Sequence, residues 1–187
     1  MRTEAAGQSP LLMVDVAELL AAHEIPYAVI GAMAAAVHGV VRASLDADAL
    51  VSTQLAVARE LQREFTGKGY RAELRIGDVD DPIPALLEVT DGFSNRVDLL
   101  IGLRGLDIGA MDRVSVVNLS GFPLRVIGRE DFIAMKAHAG GPLDLADARA
   151  VMDVDPAGLD RELIRRIAAG FGKEAIRRLE SLLDTPA

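Results

Sequence analysis

Aspartate interrupts two apolar runs of strand length in this chain, Asp46-Ala47-Asp48-Ala49-Leu50-Val51 and Arg96-Val97-Asp98-Leu99-Leu100-Ile101. Alternate side chains of a strand share a face, so Asp46 and Asp48 point one way and Ala47 the other. Two unit negative charges about 5 Å apart repel by roughly 3 kcal/mol at an effective dielectric of about 20. Asp98 lies in a segment that otherwise reads as a buried strand, where an unpaired charge is costly. A fold that contains these carboxylates needs something to offset them: a cation, a salt bridge from Arg96 or Arg42, or exposure at a strand end. Magnesium best matches carboxylate oxygens that leave room for water and substrate phosphates.

The 187 residues suffice for one domain with a proper core, or for one domain with a small helical extension. With 50% apolar and 26% charged residues, the composition is that of an ordinary globular protein and not a disordered one. Trp is absent and aromatics are few, so Leu, Val, Ile and Ala must fill the core. The absence of Cys excludes disulfides, thiolate zinc sites and cysteine nucleophiles together. Neither a signal-peptide apolar run after Met1 nor an apolar stretch long enough to span a bilayer is visible, so a cytoplasmic protein without a membrane partner is expected. A formal charge of -8 argues against a broad nucleic-acid face, which needs Lys and Arg to release counterions, but it leaves room for a local basic patch.

Leu11 to His23 has helical spacing and ends at the Ile25-Pro26 step. Tyr27-Ala28-Val29-Ile30 then reads as a short strand, Gly31 as a turn, and Ala32 to His38 as a helix that stops at Gly39. That order turns backbone N-H groups and a helix start toward whatever sits beside Gly31, which suits a phosphate. Asp46 to Val51 is the next strand, and Gln54 to Phe65 an amphipathic helix. Further strands are expected at Tyr70 to Ile76, Ala85 to Thr90 and Arg96 to Ile101, with a hairpin of Val114 to Asn118 and Leu124 to Ile127 around Ser120-Gly121. From Glu130 onward the pattern is helical, broken at Gly140-Gly141-Pro142, at Asp155-Pro156 and near Gly170 to Gly172. The expected organisation is an α/β (α+β) core over 1–128 and a helical C-terminal region over 129–187 packed on it.

A strand ending at Ile30-Gly31-Ala32, a helix, a strand with Asp46-Ala47-Asp48 and a later strand with Val97-Asp98-Leu99 together resemble the nucleotidyltransferase fold of the DNA polymerase β superfamily. The stretch from Gly31 to Asp48, with Arg42 and Ser44 ahead of Asp-x-Asp, resembles the bacterial AbiEii-like group, whose members include toxins of type IV toxin-antitoxin systems. Glu130 to Gly140 with Lys136, followed by Asp144 and Asp147, is similar to that group's helical segment. The resemblance runs from about Leu11 to Val151.

It implies a mixed sheet flanked by helices and a magnesium-dependent transfer of NMP from an NTP to an RNA, tRNA included, or to a protein, with an antitoxin protein as partner. Asp46 and Asp48 would hold two Mg2+ ions with the triphosphate, and Asp98 would complete the site of the ion that activates the attacking hydroxyl. Gly31 and Ala32 would bring backbone amides to the phosphates, while Arg42, Ser44 or Lys136 would neutralise charge there. Ala32 departs from the superfamily's usual Ser or Gly, so a hydroxyl contact to phosphate is lost at that place.

Plainer readings compete with these. Asp-x-Asp pairs are common in turns and helix caps, Lys136 reads equally as a solvated lysine, and Asp144 and Asp147 read as caps of a helix after Gly140-Gly141-Pro142. His23, His38 and His138 show no zinc spacing, and His38 before Gly39 reads as a helix C-terminal partner. Ala32 and the low positive charge favour a rival, a catalytically silent nucleotide-binding or interaction module. A second rival is a small-molecule nucleotidyltransferase acting on an aminoglycoside-like hydroxyl, whose acceptor pocket would take acidic residues from Asp78, Asp80, Asp81 or Asp91.

Overall fold

The computed structural model describes residues 1–184; the last three positions of the expected helical region lie outside the described residues. One seven-stranded mixed sheet runs in the order β3-β4-β5-β2-β1-β7-β6. Its strands are β1 (Tyr27–Ile30), β2 (Asp46–Val51), β3 (Arg71–Ile76), β4 (Ala85–Thr90), β5 (Arg96–Ile101), β6 (Ser115–Leu119) and β7 (Phe122–Val126). β2 pairs with β5 and β1 with β7 in parallel, and the remaining neighbours are antiparallel. The helices are α1 (Ser9–Ala22), α2 (Gly31–Val37), α3 (Leu55–Gly67), α4 (Arg129–Ala139), α5 (Pro142–Val154), α6 (Arg161–Phe171) and α7 (Lys173–Asp184). The mixed sheet flanked by helices is the expected class of fold.

Period-two burial explains why the central strands face as they do. Ala47, Ala49 and Val51 of β2, with Val97, Leu99 and Ile101 of β5, point into the core. α1 and α3 cover that side, with Leu12, Leu20, Leu61 and Phe65 almost wholly buried. Burying each such large side chain is worth about 1.5–3 kcal/mol. Asp46 and Asp48 fall on the opposite side by the same alternation.

Polar pins fix the ends of the two central strands. The buried Ser9 hydroxyl donates to the Leu45 carbonyl (2.7 Å) and accepts from the Arg96 amide (3.1 Å), so the first turn of α1 ties together the starts of β2 and β5. The turn between β4 and β5 is closed by Asp91, which accepts from the Phe93 and Asn95 amides and from Asn95 Nδ2. Asp91 is therefore turned into its own loop, which removes it as an acceptor-pocket carboxylate. Asp81, in the loop between β3 and β4, likewise accepts from the Ile83 amide (2.8 Å).

Candidate active site

Parallel pairing of β2 with β5 sets Asp48 opposite Asp98 and Asp46 opposite Arg96. β4 sets Glu88 opposite Asp98, and β3 sets Glu73 opposite Glu88. Directly paired residues share a face. One row of carboxylates thus crosses four strands, from Glu73 through Glu88 and Asp98 to Asp48, and meets β1 at Ile30, the residue before Gly31. Sequence reasoning missed Glu88 and Glu73. Glu88 had the same signal as Asp98, an acid inside an otherwise apolar strand, and it is buried whereas Asp98 is half-buried.

The row is held together by unequal compensation. Arg71 and Arg75 reach Glu88 at 3.4 and 3.5 Å, and Arg75 Nε lies 3.2 Å from Glu73. Ser44 donates to Asp46 Oδ1 at 2.7 Å, and the Arg96 guanidinium pairs with Asp46 Oδ2. The Ser44 hydroxyl, and after it Arg96, hold the Asp46 carboxyl below the usual carboxylate range. Burial pushes Asp48 up to about 6, with the charges of Asp46 and Asp98 adding to the shift and Lys136 opposing it. Asp98 is also raised, first by burial, with Glu88 and Asp46 adding and Arg96 opposing. Its Oδ1 is buried and makes no hydrogen bond, and Arg96 Nε, 3.4 Å away, makes none either.

Gly31 belongs where the row meets β1 for two reasons. Its φ of +63° is left-handed, which side chains other than Gly rarely adopt, and a Cβ there would overlap Asp48 Oδ2 and stand 3.1 Å from Cγ. Ala32 is 7% exposed in the first turn of α2, so its backbone alone can serve a ligand. No side chain caps that turn, whose N-cap is Ile30. With seven residues, α2 adds little macrodipole. His38 ends α2 as expected, with Nε2 donating to the Ile127 carbonyl at 2.8 Å.

Arg42 and Lys136, the other expected phosphate ligands, both pair with carboxylates of α5. Lys136 Nζ lies 2.7 Å from Asp144 and 3.0 Å from Asp147, and Arg42 Nε lies 3.1 Å from Asp147. Asp147 is almost wholly buried between these two cations. The reading of Asp144 and Asp147 as helix-start carboxylates holds in part: Asp144 lies in the first turn of α5, where the dipole favours it, but the N-cap is Gly141 without a side-chain cap, and Asp147 lies one turn further in. The reading of Lys136 as a solvated lysine fails, because its side chain is 14% exposed and its ammonium stands 5.6 Å from the Phe132 ring centroid.

A cavity of about 410 Å³ opens beside Asp48 and Gly31. Ile83, Leu100, Leu103, Phe132 and Met135 make most of its wall apolar, and Lys136 and Asp144 supply polar atoms. Pro82 and Ile83 bring the loop between β3 and β4 to its edge.

The donor chemistry suits a hard divalent cation: carboxylate oxygens only, one of them buried without a hydrogen bond. Among the described residues, no three or more His, Asp or Glu side chains stand so that together they could hold a metal ion in this conformation. The cation found between Asp46 and Asp98 is the guanidinium of Arg96.

Solved structures place this chain in a known architecture. The antibiotic-resistance factor ANT(2'')-Ia matches with a TM-score of 0.58 at 17% identity over 95% of each chain. In its complex with adenylyl-2''-tobramycin the score is 0.57, at 17% identity, over 88% of this chain and 96% of that one. An antigenic nucleotidyltransferase-like protein from Paracoccidioides brasiliensis scores 0.53 at 12% identity, over 97% and 94% of the two chains. The lincosamide antibiotic adenylyltransferase LnuA, lincomycin-bound, scores 0.50 at 13% identity, over 81% and 99%. At these identities the likeness defines the fold, which is that of nucleotidyltransferases, and nothing finer. No protein-family model and no curated protein matches the sequence. No described helix is long and apolar enough to cross a membrane.

Proposed function

We propose that this protein is a divalent-metal-dependent nucleotidyltransferase that transfers NMP from an NTP to a hydroxyl group and releases pyrophosphate. The observation that carries the reading is Asp48 opposite Asp98 on parallel strands, beside a left-handed glycine whose missing Cβ leaves room for Asp48. Asp46, Asp48 and Asp98 would hold magnesium with the nucleotide. Magnesium bound there would neutralise the triphosphate and make the acceptor hydroxyl more acidic. The acceptor oxygen bonds to the α-phosphorus as the bond to the pyrophosphate oxygen breaks, and the hydroxyl proton leaves to solvent.

This chain's residues supply positioning and charge. Gly31 keeps the backbone of the β1–α2 turn close to Asp48. Asp48, with its carboxyl raised only to about 6, is mostly ionised at neutral pH and so available to a cation. The apolar wall contributed by Leu100, Phe132 and Met135 limits water beside the reacting groups.

We favour a small hydroxylated molecule as acceptor. The cavity of about 410 Å³ at Asp48 is of ligand size, and the net charge of -8 disfavours a polyanionic RNA. The fold neighbours named for antibiotic adenylyl transfer add support. An RNA or protein acceptor, a toxin role and an antitoxin partner rest on the AbiEii-like resemblance alone. Incubation of the protein and Mg2+ with each α-32P-labelled NTP and a panel of aminoglycosides, lincosamides and other polyols is the test. Label in a small molecule supports the assignment. Label in added total RNA or lysate protein overturns the acceptor, and nucleotide binding without label in any fraction points to the catalytically silent module.

A further inference from the structure

Arg96 stands where a metal ion would otherwise balance the site. It is the cross-strand partner of Asp46 and lies two residues before Asp98 on the same face of β5. Its guanidinium pairs with Asp46 Oδ2 and lies, through Nε, 3.4 Å from Asp98 Oδ1. The two contacts differ in quality. The first is a hydrogen-bonded ion pair, whereas in the second both atoms are buried and neither forms a hydrogen bond. The groups around it are fixed: Ser44 takes the other oxygen of Asp46, Ser9 takes the Arg96 amide, and Thr90, its partner on β4, has a buried hydroxyl without a hydrogen bond.

Such a contact neutralises Asp98 without satisfying it. A buried carboxylate oxygen with a cation nearby and no hydrogen bond loses little when that cation leaves, provided another one arrives. The Arg96 side chain is 43% exposed, so it can turn to solvent without losing a packed environment. Resting on the nucleotidyltransferase reading, we propose that Arg96 is an internal competitor for the metal: it holds Asp46 and Asp98 in the metal-free protein, gives up Asp98 when a divalent cation binds, and so sets the site's metal affinity. Arg96 is thus a positioning residue that acts through two carboxylates.

The charge arithmetic gives the direction. A unit positive charge within about 6–8 Å of a divalent cation opposes its binding by more than 1 kcal/mol even at an effective dielectric of about 40, which is about tenfold or more in affinity. Arg96→Gln should bind metal more tightly and unfold at a lower temperature in its absence.

The experiment is a titration of Mn2+ alone, without nucleotide, followed by electron paramagnetic resonance and by thermal unfolding, in the wild type, Arg96→Gln and Asp48→Asn. The expected result is a Kd about tenfold or more lower in Arg96→Gln, with a reduced Tm in EDTA that Mn2+ restores, and no site in Asp48→Asn. An unchanged or weaker Kd in Arg96→Gln, with binding still abolished in Asp48→Asn, overturns the competitor role and leaves the metal site standing. Equal binding in the wild type and Asp48→Asn overturns the metal site itself and this inference with it. A readout on the wild type covers a variant that does not fold: hydrogen exchange of Arg96 Nε-H, assigned by comparison with Arg96→Lys, should speed up on adding Mg2+. Exchange indifferent to Mg2+ overturns the proposal.

Discussion

Gly31 and Asp48 share a space that a side chain at position 31 would enter: a Cβ on Gly31 would overlap Asp48 Oδ2. The β1–α2 turn and the Asp-x-Asp strand are therefore one unit, although 17 positions separate the two residues. Gly31→Ala should cost about 2 kcal/mol, from the left-handed backbone and the displaced carboxylate together. Urea unfolding at neutral pH checks it. A loss below about 0.5 kcal/mol would mean that the turn relaxes freely and that the fit is not required.

Asp48 should make the metal-free protein more stable in mildly acidic solution. Its folded-state carboxyl titrates at about 6 against an ordinary 3.8, so the folded form binds more protons than the unfolded one between about pH 4 and 6. Stability from this group is then fully present near pH 4, declines as pH rises through that window and stays reduced by about 2–3 kcal/mol at pH 7 and above. Asp48→Asn should be more stable than the wild type at pH 7.5 in EDTA, and its stability should fall less between pH 4 and 6. Parallel pH profiles for the two proteins would show that Asp48 is not the strained group.

Asp147 links the segment before β2 to the C-terminal helices, since Arg42 and Lys136 both close on it. Removing a buried partner leaves the other charges without compensation. Asp147→Ala is expected to destabilise the protein by about 3 kcal/mol and to open the segment around Arg42 to limited proteolysis. Retention of full stability would contradict the buried network.

Metal should stabilise the folded state in proportion to the ionisation of Asp48. Millimolar Mn2+ is expected to raise Tm clearly at pH 8 and much less at pH 5, where Asp48 holds its proton. An equal rise at both pH values would locate the bound metal elsewhere.

The strands, the turn at Gly31 and the three aspartates were legible in the sequence because alternation, a turn glycine and acids inside apolar runs are local signals. What lay beyond it was pairing. Arg96 was foreseen as one partner for Asp98, but its bond to Asp46 needs the parallel register of β2 with β5, 50 positions apart. Arg42 read as a phosphate ligand because nothing local reveals Asp147, which reaches it across 105 positions. Glu88 carried the same local signal as Asp98 but fell outside the motif that drew attention to the aspartates, and only strand order sets it beside Asp98.

Nucleotide binding through the paired aspartates can be read by isothermal titration of each of the four NTPs with Mg2+ into the wild type and Asp48→Asn. A metal-dependent heat is expected for at least one NTP in the wild type, abolished by EDTA and by Asp48→Asn. Undetectable heats for all four NTPs in the wild type, or equal heats in the two proteins, would contradict it.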